Sequence, residues 1–210
     1  MWFIHLGIFI MKDLIIFGNN DLSQIAHYFI SKEKKYNKIY FTVDRDYIKS
    51  PDEIVFDQIE NYNIENFDFF IPVADNKLRE EKYLTVKKIG FNVISYIHPS
   101  AEVSSKVGEN CFVLENNTIQ PFCEIGNNII FWSGNHIGHH TVIKDSVFFS
   151  SHVVVSGHCK IDSYSWFGVN SCIRDNVLIS KNTFICMGTV LTKSVLEENK
   201  KLFGNPARYY

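Results

Sequence analysis

The chain has little of several features that would point directly to its partners. It carries 21 Lys and Arg against 23 Asp and Glu, so its net charge is only -2, and its basic residues are scattered. Binding to nucleic acid or to an anionic membrane requires clustered cations, so both partners are disfavoured. No apolar run is long enough to span a bilayer, and we therefore expect no membrane insertion.

Cysteines at metal-binding spacing are also missing. The five cysteines all lie between residues 111 and 186, with no CxxC spacing and no paired set of Cys and His ligands. We interpret them as buried or turn-lining thiols of a cytoplasmic protein rather than as disulfides or metal ligands. The sequence therefore predicts no metal.

The first ten residues lack what a secretion signal needs. The segment MWFIHLGIFI is apolar, but no cationic segment precedes it and no small-residue cleavage site follows it. Because Met11 opens directly into a strand pattern, we interpret residues 1–10 as a non-native or mis-assigned start.

What the sequence does have is an apolar residue at every sixth position from 107 to 191. Neither the 3.6-residue period of a helix nor the alternation of a strand explains this spacing. Fifteen hexads predict a parallel β-helix, in which each hexad forms one side of a triangular coil and five coils stack. The apolar series is Val107, Val113, Ile119, Ile125, Phe131, Ile137, Ile143, Phe149, Val155, Ile161, Phe167, Ile173, Ile179, Ile185 and Leu191.

Sorting this series by coil gives three columns along the predicted core. One column holds Phe131, Phe149 and Phe167, which predicts a stack of aromatic rings in one corner of the coil. The fifth residue of each hexad is mostly small or β-branched, which suits a tight turn between stacked strands.

Before the repeat, strands alternate with helices. The pattern predicts strands at 14–17, 38–43, 69–73 and 91–96, and helices at 22–32 and 76–89. We therefore expect a small Rossmann-like βαβ domain over residues 1–96, followed by a β-helix domain over residues 97–210. The predicted fold class is α/β plus all-β.

The turn after the first strand contains Gly18, Asn19 and Asn20, and Asp44 ends the second strand. At the carboxyl ends of parallel strands these residues could hold the phosphate or ribose of a nucleotide. Only the first glycine of the GxGxxG pattern is present, which disfavours NAD. The alternative is a purely structural turn with Asp21 as the helix cap.

Histidines are concentrated in the middle coils, where they must point outward because the apolar columns fill the interior. His139 is the favoured general base, since the ordinary pKa of histidine lies near neutrality. Gly157, one coil away, would offer a backbone N–H to a thioester oxyanion. Histidines without a role and a metal site built by several of them are the alternatives. The group is His136, His139, His140, His152 and His158.

The βαβ segment, the hexads and the closing motif Gly204-Asn205-Pro206-Ala207-Arg208 together resemble the left-handed β-helix hexapeptide-repeat sugar acyltransferases. The likeness covers residues 11–210 and extends to both nucleotide-amino-sugar N-acetyltransferases and the sialic acid O-acetyltransferase type. It implies left-handed coiling, acetyl-CoA as co-substrate, a role in bacterial surface polysaccharide or glycan synthesis, and a homotrimer with active sites between subunits.

The resemblance also implies site residues. His139 matches the general base, and His140 stands where several members have the acidic residue that orients the base. The nucleotide-linked sugar would be bound by Gly18, Asn19, Asn20 and Asp44. Acetyl-CoA would be bound by Ser156, Gly157, Asn170, Gly188, Pro206 and Arg208.

The implied reaction moves acetyl from acetyl-CoA to an amino group of a nucleotide-linked deoxyamino sugar, by direct attack. Acetylation of a sugar hydroxyl would use the same base and the same thioester, so it stays open as the first alternative. A non-catalytic β-helix scaffold that binds a nucleotide is the second.

Overall fold

The computed structural model describes residues 11–210, and the interpretation of residues 1–10 lies outside the described residues. The chain forms a five-stranded sheet followed by a β-helix. No helix within residues 11–210 is long and apolar enough to cross a membrane.

The N-terminal sheet is parallel throughout. Its elements are β1 (Asp13–Phe17), α1 (Asp21–Lys32), β2 (Ile39–Val43), β3 (Ile54–Val55), β4 (Phe67–Phe70), α2 (Asn76–Ile89) and β5 (Asn92–Val93), with short 3-10 helices at Arg45–Tyr47 and Phe56–Asn61. The strand order is β3-β2-β1-β4-β5. The sequence pattern predicts the alternation but misses β3, and it predicts β4 two residues too late.

The predicted strand at 91–96 is divided between the two parts of the chain. Its first half is β5, whereas Tyr96 pairs with Phe112 in the first coil of the β-helix. The β-helix therefore begins before Val107 and has about six turns rather than five.

Three parallel sheets form the faces of the β-helix. Face 1 is β6 (Tyr96–Ile97), β8 (Phe112–Val113), β11 (Ile130–Phe131), β14 (Phe148–Phe149), β17 (Trp166–Phe167), β20 (Phe184–Ile185), β22 (Lys201–Phe203) and the antiparallel β23 (Arg208–Tyr209). Face 2 is β7 (Glu102–Val103), β9 (Thr118–Ile119), β12 (His136–Ile137), β15 (Val154–Val155), β18 (Cys172–Ile173) and β21 (Val190–Leu191). Face 3 is β10 (Glu124–Ile125), β13 (Val142–Ile143), β16 (Lys160–Ile161) and β19 (Leu178–Ile179).

The apolar series fills the core as predicted, and only Val107 at its start is partly exposed. Phe149 stacks on Phe131 with ring centroids 4.8 Å apart, and on Phe167 at 4.6 Å, with both ring pairs nearly parallel. The stack lies beneath face 1 rather than in a corner, because each of these Phe residues belongs to a strand of that face.

The corners between faces carry a second regularity. From residue 110 to residue 188 every sixth residue has a left-handed backbone, with φ between +52° and +78°. Corner A, between faces 1 and 2, holds Asn116, Gly134, His152, Asn170 and Gly188. Corner B, between faces 2 and 3, holds Phe122, His140, His158 and Asn176. Corner C, between faces 3 and 1, holds Asn110, Asn128, Ser146, Tyr164 and Asn182.

The N-terminal sheet is docked on face 1. Phe112, Ile130 and Phe148 point out of that face and are buried against Ile16 and Phe70 of the sheet. In a triangular coil the corner opposite face 1 is corner B. The N-terminal part and corner B of one chain therefore lie on opposite sides of the β-helix.

α2 lies along corner C and binds it through polar contacts. Asn76 donates to the carbonyl of Tyr164 at 3.1 Å, and the carboxylate of Glu80 accepts from the hydroxyls of Ser146 and Tyr164. The bond to Glu80 raises the pKa of Tyr164 to about 12. These contacts fix the sheet relative to the β-helix.

Candidate functional site

Corner B brings three histidines together. His139 and His140 follow β12 in one coil, and His158 occupies the next coil, where its N–H donates to the His139 carbonyl at 2.9 Å. All three side chains are exposed, and ring nitrogens from the three residues lie within 4.8 Å of one another. The six-residue period places His158 above His140, and the structure has them in that arrangement.

The rings in corner B are ordered against each other. His140 lies between Phe122, with ring centroids 4.9 Å apart, and His158, at 4.8 Å. His139 stands perpendicular to this stack, and its Nδ1 lies 3.0 Å from Nδ1 of His140. Two nitrogens at this distance share one proton, so the tautomers of the two rings are coupled.

Gly157, in the next coil, packs against the ring of His139. A Cβ at residue 157 would be 2.9 Å from Cε1 and 3.0 Å from Nε2 of His139, so a side chain there would force the His139 ring to move. The space that the missing side chain of Gly157 leaves is thus filled by the His139 ring itself. Within residues 11–210 the Gly157 N–H donates no hydrogen bond, and the glycine itself packs against the ring of His139.

The other two histidines of the middle coils lie elsewhere. His136 is half-buried on face 2, and His152 occupies corner A with its ring over Gly134. A Cβ at residue 134 would lie 2.5 Å from Nδ1 of His152. Gly134 therefore supplies both the left-handed backbone and the room for that ring.

The residues expected to bind acetyl-CoA divide into three groups. Ser156 and Gly157 lie beside His139 at corner B, whereas Asn170 and Gly188 are successive members of corner A, across face 2. The remaining two residues of this set, 206 and 208, are exposed near the end of face 1, in and beside β23. One chain alone does not bring these groups into a single pocket.

The residues expected to bind the nucleotide lie at the carboxyl edge of the N-terminal sheet, and each has a structural partner. Asn20, not Asp21, caps α1, since its side chain accepts from the Ser23 N–H at 3.2 Å. Gly18 has φ +97°, and a Cβ there would lie 2.5 Å from Oγ of Ser23. The turn is therefore built for tight packing of α1 on β1.

Asn19 and Asp44 are tied to residues that sequence reasoning missed. Asn19 donates to Oε1 of Glu53 at 3.0 Å. Although burial opposes it, hydrogen bonds from Lys49 and Asn19 lower the pKa of Glu53. Asp44 pairs with the ammonium of Lys82 at 2.7 Å.

The Lys82 side chain is buried, and its Nζ lies 4.6 Å from the centre of the Phe56 ring. Asp44 is thus partly neutralised by a fixed cation at the edge of the sheet. No local pattern in the sequence signals this pair, because 38 residues separate its members.

Comparisons with known proteins show which sequences and structures this chain is similar to. No family model matches the chain. A UDP-N-acetylglucosamine O-acyltransferase of Sinorhizobium fredii is 24% identical over 125 residues, a match that covers 56% of this chain. The chain therefore spans less than half of the length of that relative, 46%.

Three solved structures are similar over nearly the whole chain. The acetyltransferase domain of PglB from Neisseria gonorrhoeae, in complex with acetyl coenzyme A, has a TM-score of 0.87 at 20% identity, covering 95% of this chain and 99% of that one. PerB from Caulobacter crescentus, with CoA and GDP-perosamine, has a TM-score of 0.87 at 18% identity, covering 96% and 98%. WeeI from Acinetobacter baumannii has a TM-score of 0.84 at 18% identity, covering 95% and 100%. The predicted repeat architecture is therefore confirmed, and the chain has the fold of the hexapeptide-repeat left-handed β-helix acetyltransferases.

Proposed function

We propose that the protein is an acetyl-CoA-dependent acetyltransferase that acylates an amino group of a nucleotide-linked deoxyamino sugar, with His139 as general base. One observation carries this proposal. The ring of His139 packs on Gly157, with Nε2 3.0 Å from where a Cβ at residue 157 would lie, so a proton acceptor adjoins the glycine whose N–H would serve as oxyanion donor at an exposed corner. Neighbours of the same fold bind acetyl-CoA, CoA and GDP-perosamine.

In the proposed reaction Nε2 of His139 takes the proton from the attacking amine. The ring proton must then reside on Nδ1, from which it donates to Nδ1 of His140. His140 is therefore the positioning partner that fixes the tautomer, in the place where related enzymes have an acidic residue. The Gly157 N–H stabilises charge on the thioester oxygen until the thiolate of CoA leaves.

The nucleotide of the substrate is assigned to the carboxyl edge of the N-terminal sheet. Its strand order, 3-2-1-4-5, is the order found in dinucleotide-binding sheets, which supports a Rossmann-like domain over residues 1–96 ahead of the β-helix domain at 97–210. Asn19 and Asp44 line this edge and would face the nucleotide together with Lys82. Gly18 and Asn20 would act by shaping the turn.

The two half-sites lie on opposite sides of one chain, which supports a homotrimer with shared sites. The N-terminal sheet covers face 1, and His139 lies on the opposite corner. A neighbouring copy must bring its own groups to corner B. In this arrangement the corner A residues Asn170 and Gly188 of one copy, with Pro206 and Arg208, would hold acetyl-CoA against Ser156 and Gly157 of another.

Acetylation of a sugar hydroxyl is the second candidate. It is favoured by the relative from Sinorhizobium fredii, whose name describes an O-acyltransferase. The base and the thioester would be the same, so only the acceptor distinguishes the two reactions.

Release of CoA thiol should be measured with UDP-, dTDP- and GDP-linked amino sugars, and with hydroxyl-only sugars as controls. We expect turnover only with an amino sugar, and a loss of about 100-fold or more in His139→Gln. His152→Gln is the matched control, since that histidine is also exposed but occupies corner A. Turnover with hydroxyl-only sugars would favour O-acetylation. Near-normal turnover of His139→Gln would remove His139 from the mechanism, and failure to bind acetyl-CoA would leave a scaffold.

A further inference from the structure

The three histidines of corner B offer more than a general base. We propose that His139, His140 and His158 form a binding site for a divalent transition metal, and that a metal bound there switches the transferase off. The first part concerns binding alone. The second part rests on the proposed function of His139.

The donor set selects the class of metal. Each residue contributes one imidazole nitrogen, and no carboxylate or thiol joins the cluster among residues 11–210. Imidazole suits Zn²⁺, Ni²⁺ and Cu²⁺, whereas Ca²⁺ and Mg²⁺ prefer oxygen ligands. Three protein ligands also leave a coordination position open to water.

The distances are close to those a metal requires. Nitrogens bound to one tetrahedral Zn²⁺ lie about 3.3 Å apart, given Zn–N bonds of about 2.0–2.1 Å. The Nδ1 atoms of His139 and His140 are already 3.0 Å apart, and the third nitrogen lies within 4.8 Å. Because all three side chains are exposed, rotation of the His158 ring closes the remaining gap. The metal takes the place of the proton that the two Nδ1 atoms share, and this proton passes to solvent.

The backbone of corner B points to a local role for these rings. His140 and His158 have φ values of +57° and +59°, in a region that disfavours bulky residues. Six of the fourteen corner positions between 110 and 188 hold Asn, which adopts a left-handed backbone at lower cost. The corner B position one coil after His158 is one of these, Asn176. His152 and Tyr164 share this backbone at other corners, so what distinguishes corner B is that two histidines occupy it in successive coils.

Metal binding and catalysis compete for the same group. A ring nitrogen that donates its electron pair to a metal cannot accept a proton from the amine. The metal would also replace the proton that His139 donates to His140, so this hydrogen bond would be lost. Occupancy of the site therefore inhibits transfer, and inhibition should follow the same concentration dependence as binding.

The test uses the whole chain without a histidine tag, with NiCl₂ as the probe and a non-thiol reductant, so that the cysteines compete little for the metal. Calorimetry is run on wild type, His158→Asn and His152→Asn, and acetyl transfer is measured over the same metal range. Asn is chosen because other corners already hold it at this backbone geometry. His152 has the same backbone and exposure but lies in corner A.

We expect one Ni²⁺ per chain in wild type and in His152→Asn, and binding weaker by at least about 10-fold in His158→Asn, since even outer partners of a metal are worth about 10–100-fold. Transfer should be inhibited at the concentration that fills the site, and chelation should restore it. Equal affinity in wild type and His158→Asn would overturn the site. Binding without inhibition would overturn the switch. Failure of the proposed transfer would appear separately, as no turnover in metal-free wild type.

Discussion

Replacing Arg79 should reveal how the N-terminal sheet is held on the β-helix. The side chain of Arg79 is fully buried, and its five N–H groups are all bonded. Two of the acceptors, the carbonyls of Asn128 and Val147, belong to the β-helix, and the others belong to the loop after β4 and to the start of α2. None of the five acceptors is a carboxylate.

The structure sets the size of the effect. At the usual worth of a hydrogen bond to a charged group, five bonds contribute about 10 kcal/mol. Burial lowers the pKa of Arg79 to about 9, because desolvation disfavours the charged guanidinium, so the cost of burying the charge offsets part of this contribution. Arg79→Met removes both contributions and leaves buried carbonyls unpaired. We expect a loss of about 3–5 kcal/mol in the free energy of unfolding.

Arg79→Lys should be no more stable than Arg79→Met. Lysine keeps the buried charge but has only three N–H groups, and its ammonium cannot reproduce the planar fork of arginine. Lys88→Met, at an exposed position on the same helix, is the control and should change stability by less than about 0.5 kcal/mol.

Urea unfolding should be followed by circular dichroism at 222 nm, which reports α1 and α2, and by tryptophan fluorescence, to which Trp132 and Trp166 near the docking surface contribute together with Trp2. If Arg79→Met unfolds within about 1 kcal/mol of wild type, the docking argument is wrong. The same holds if Arg79→Lys is clearly more stable than Arg79→Met.

Three further results are expected. Gly157→Ala should lower turnover by about 10- to 100-fold without unfolding the chain, because a Cβ 3.0 Å from Nε2 of His139 displaces the ring; wild-type turnover with an unchanged urea midpoint would contradict this packing. Burial raises the pKa of Cys111 to about 11, so at pH 8 this thiol stays protonated and unreactive in the folded chain. Mass spectrometry after iodoacetamide should show alkylation of the exposed Cys172 first, and of Cys111 only in urea; early alkylation of Cys111 would show that the core opens readily. Above pH 9 stability should fall, because the unfolded thiol ionises and the folded one does not.

The core of the β-helix was accessible from sequence because one apolar residue in six suffices to define it. The left-handed corners can also be predicted from the sequence, but from a different pattern. Asn and Gly recur at the fourth position of the hexad, and these two residues tolerate a left-handed backbone best. Against that background five bulky residues stand out, and three of them, Phe122, His140 and His158, share corner B.

Other parts of the structure leave no local trace in the sequence. The bonds from Arg79 to Asn128 and Val147 span 49 and 68 residues, and no periodicity connects their ends. β3 has only two residues, too few for alternation to be recognised. Sequence places His139 and His140 side by side, but only the structure gives the contact between their Nδ1 atoms.

The left-handed corners also bear on how this chain can diverge. The architecture demands an apolar residue and a tolerant corner in each hexad, and the other positions are far less restricted. A chain can therefore keep the architecture of PglB and PerB, with TM-scores of 0.87, at only 18–20% identity. Substitutions should accumulate on the outward positions over evolutionary time, and a new reactive group can enter at a corner without any repacking of the interior.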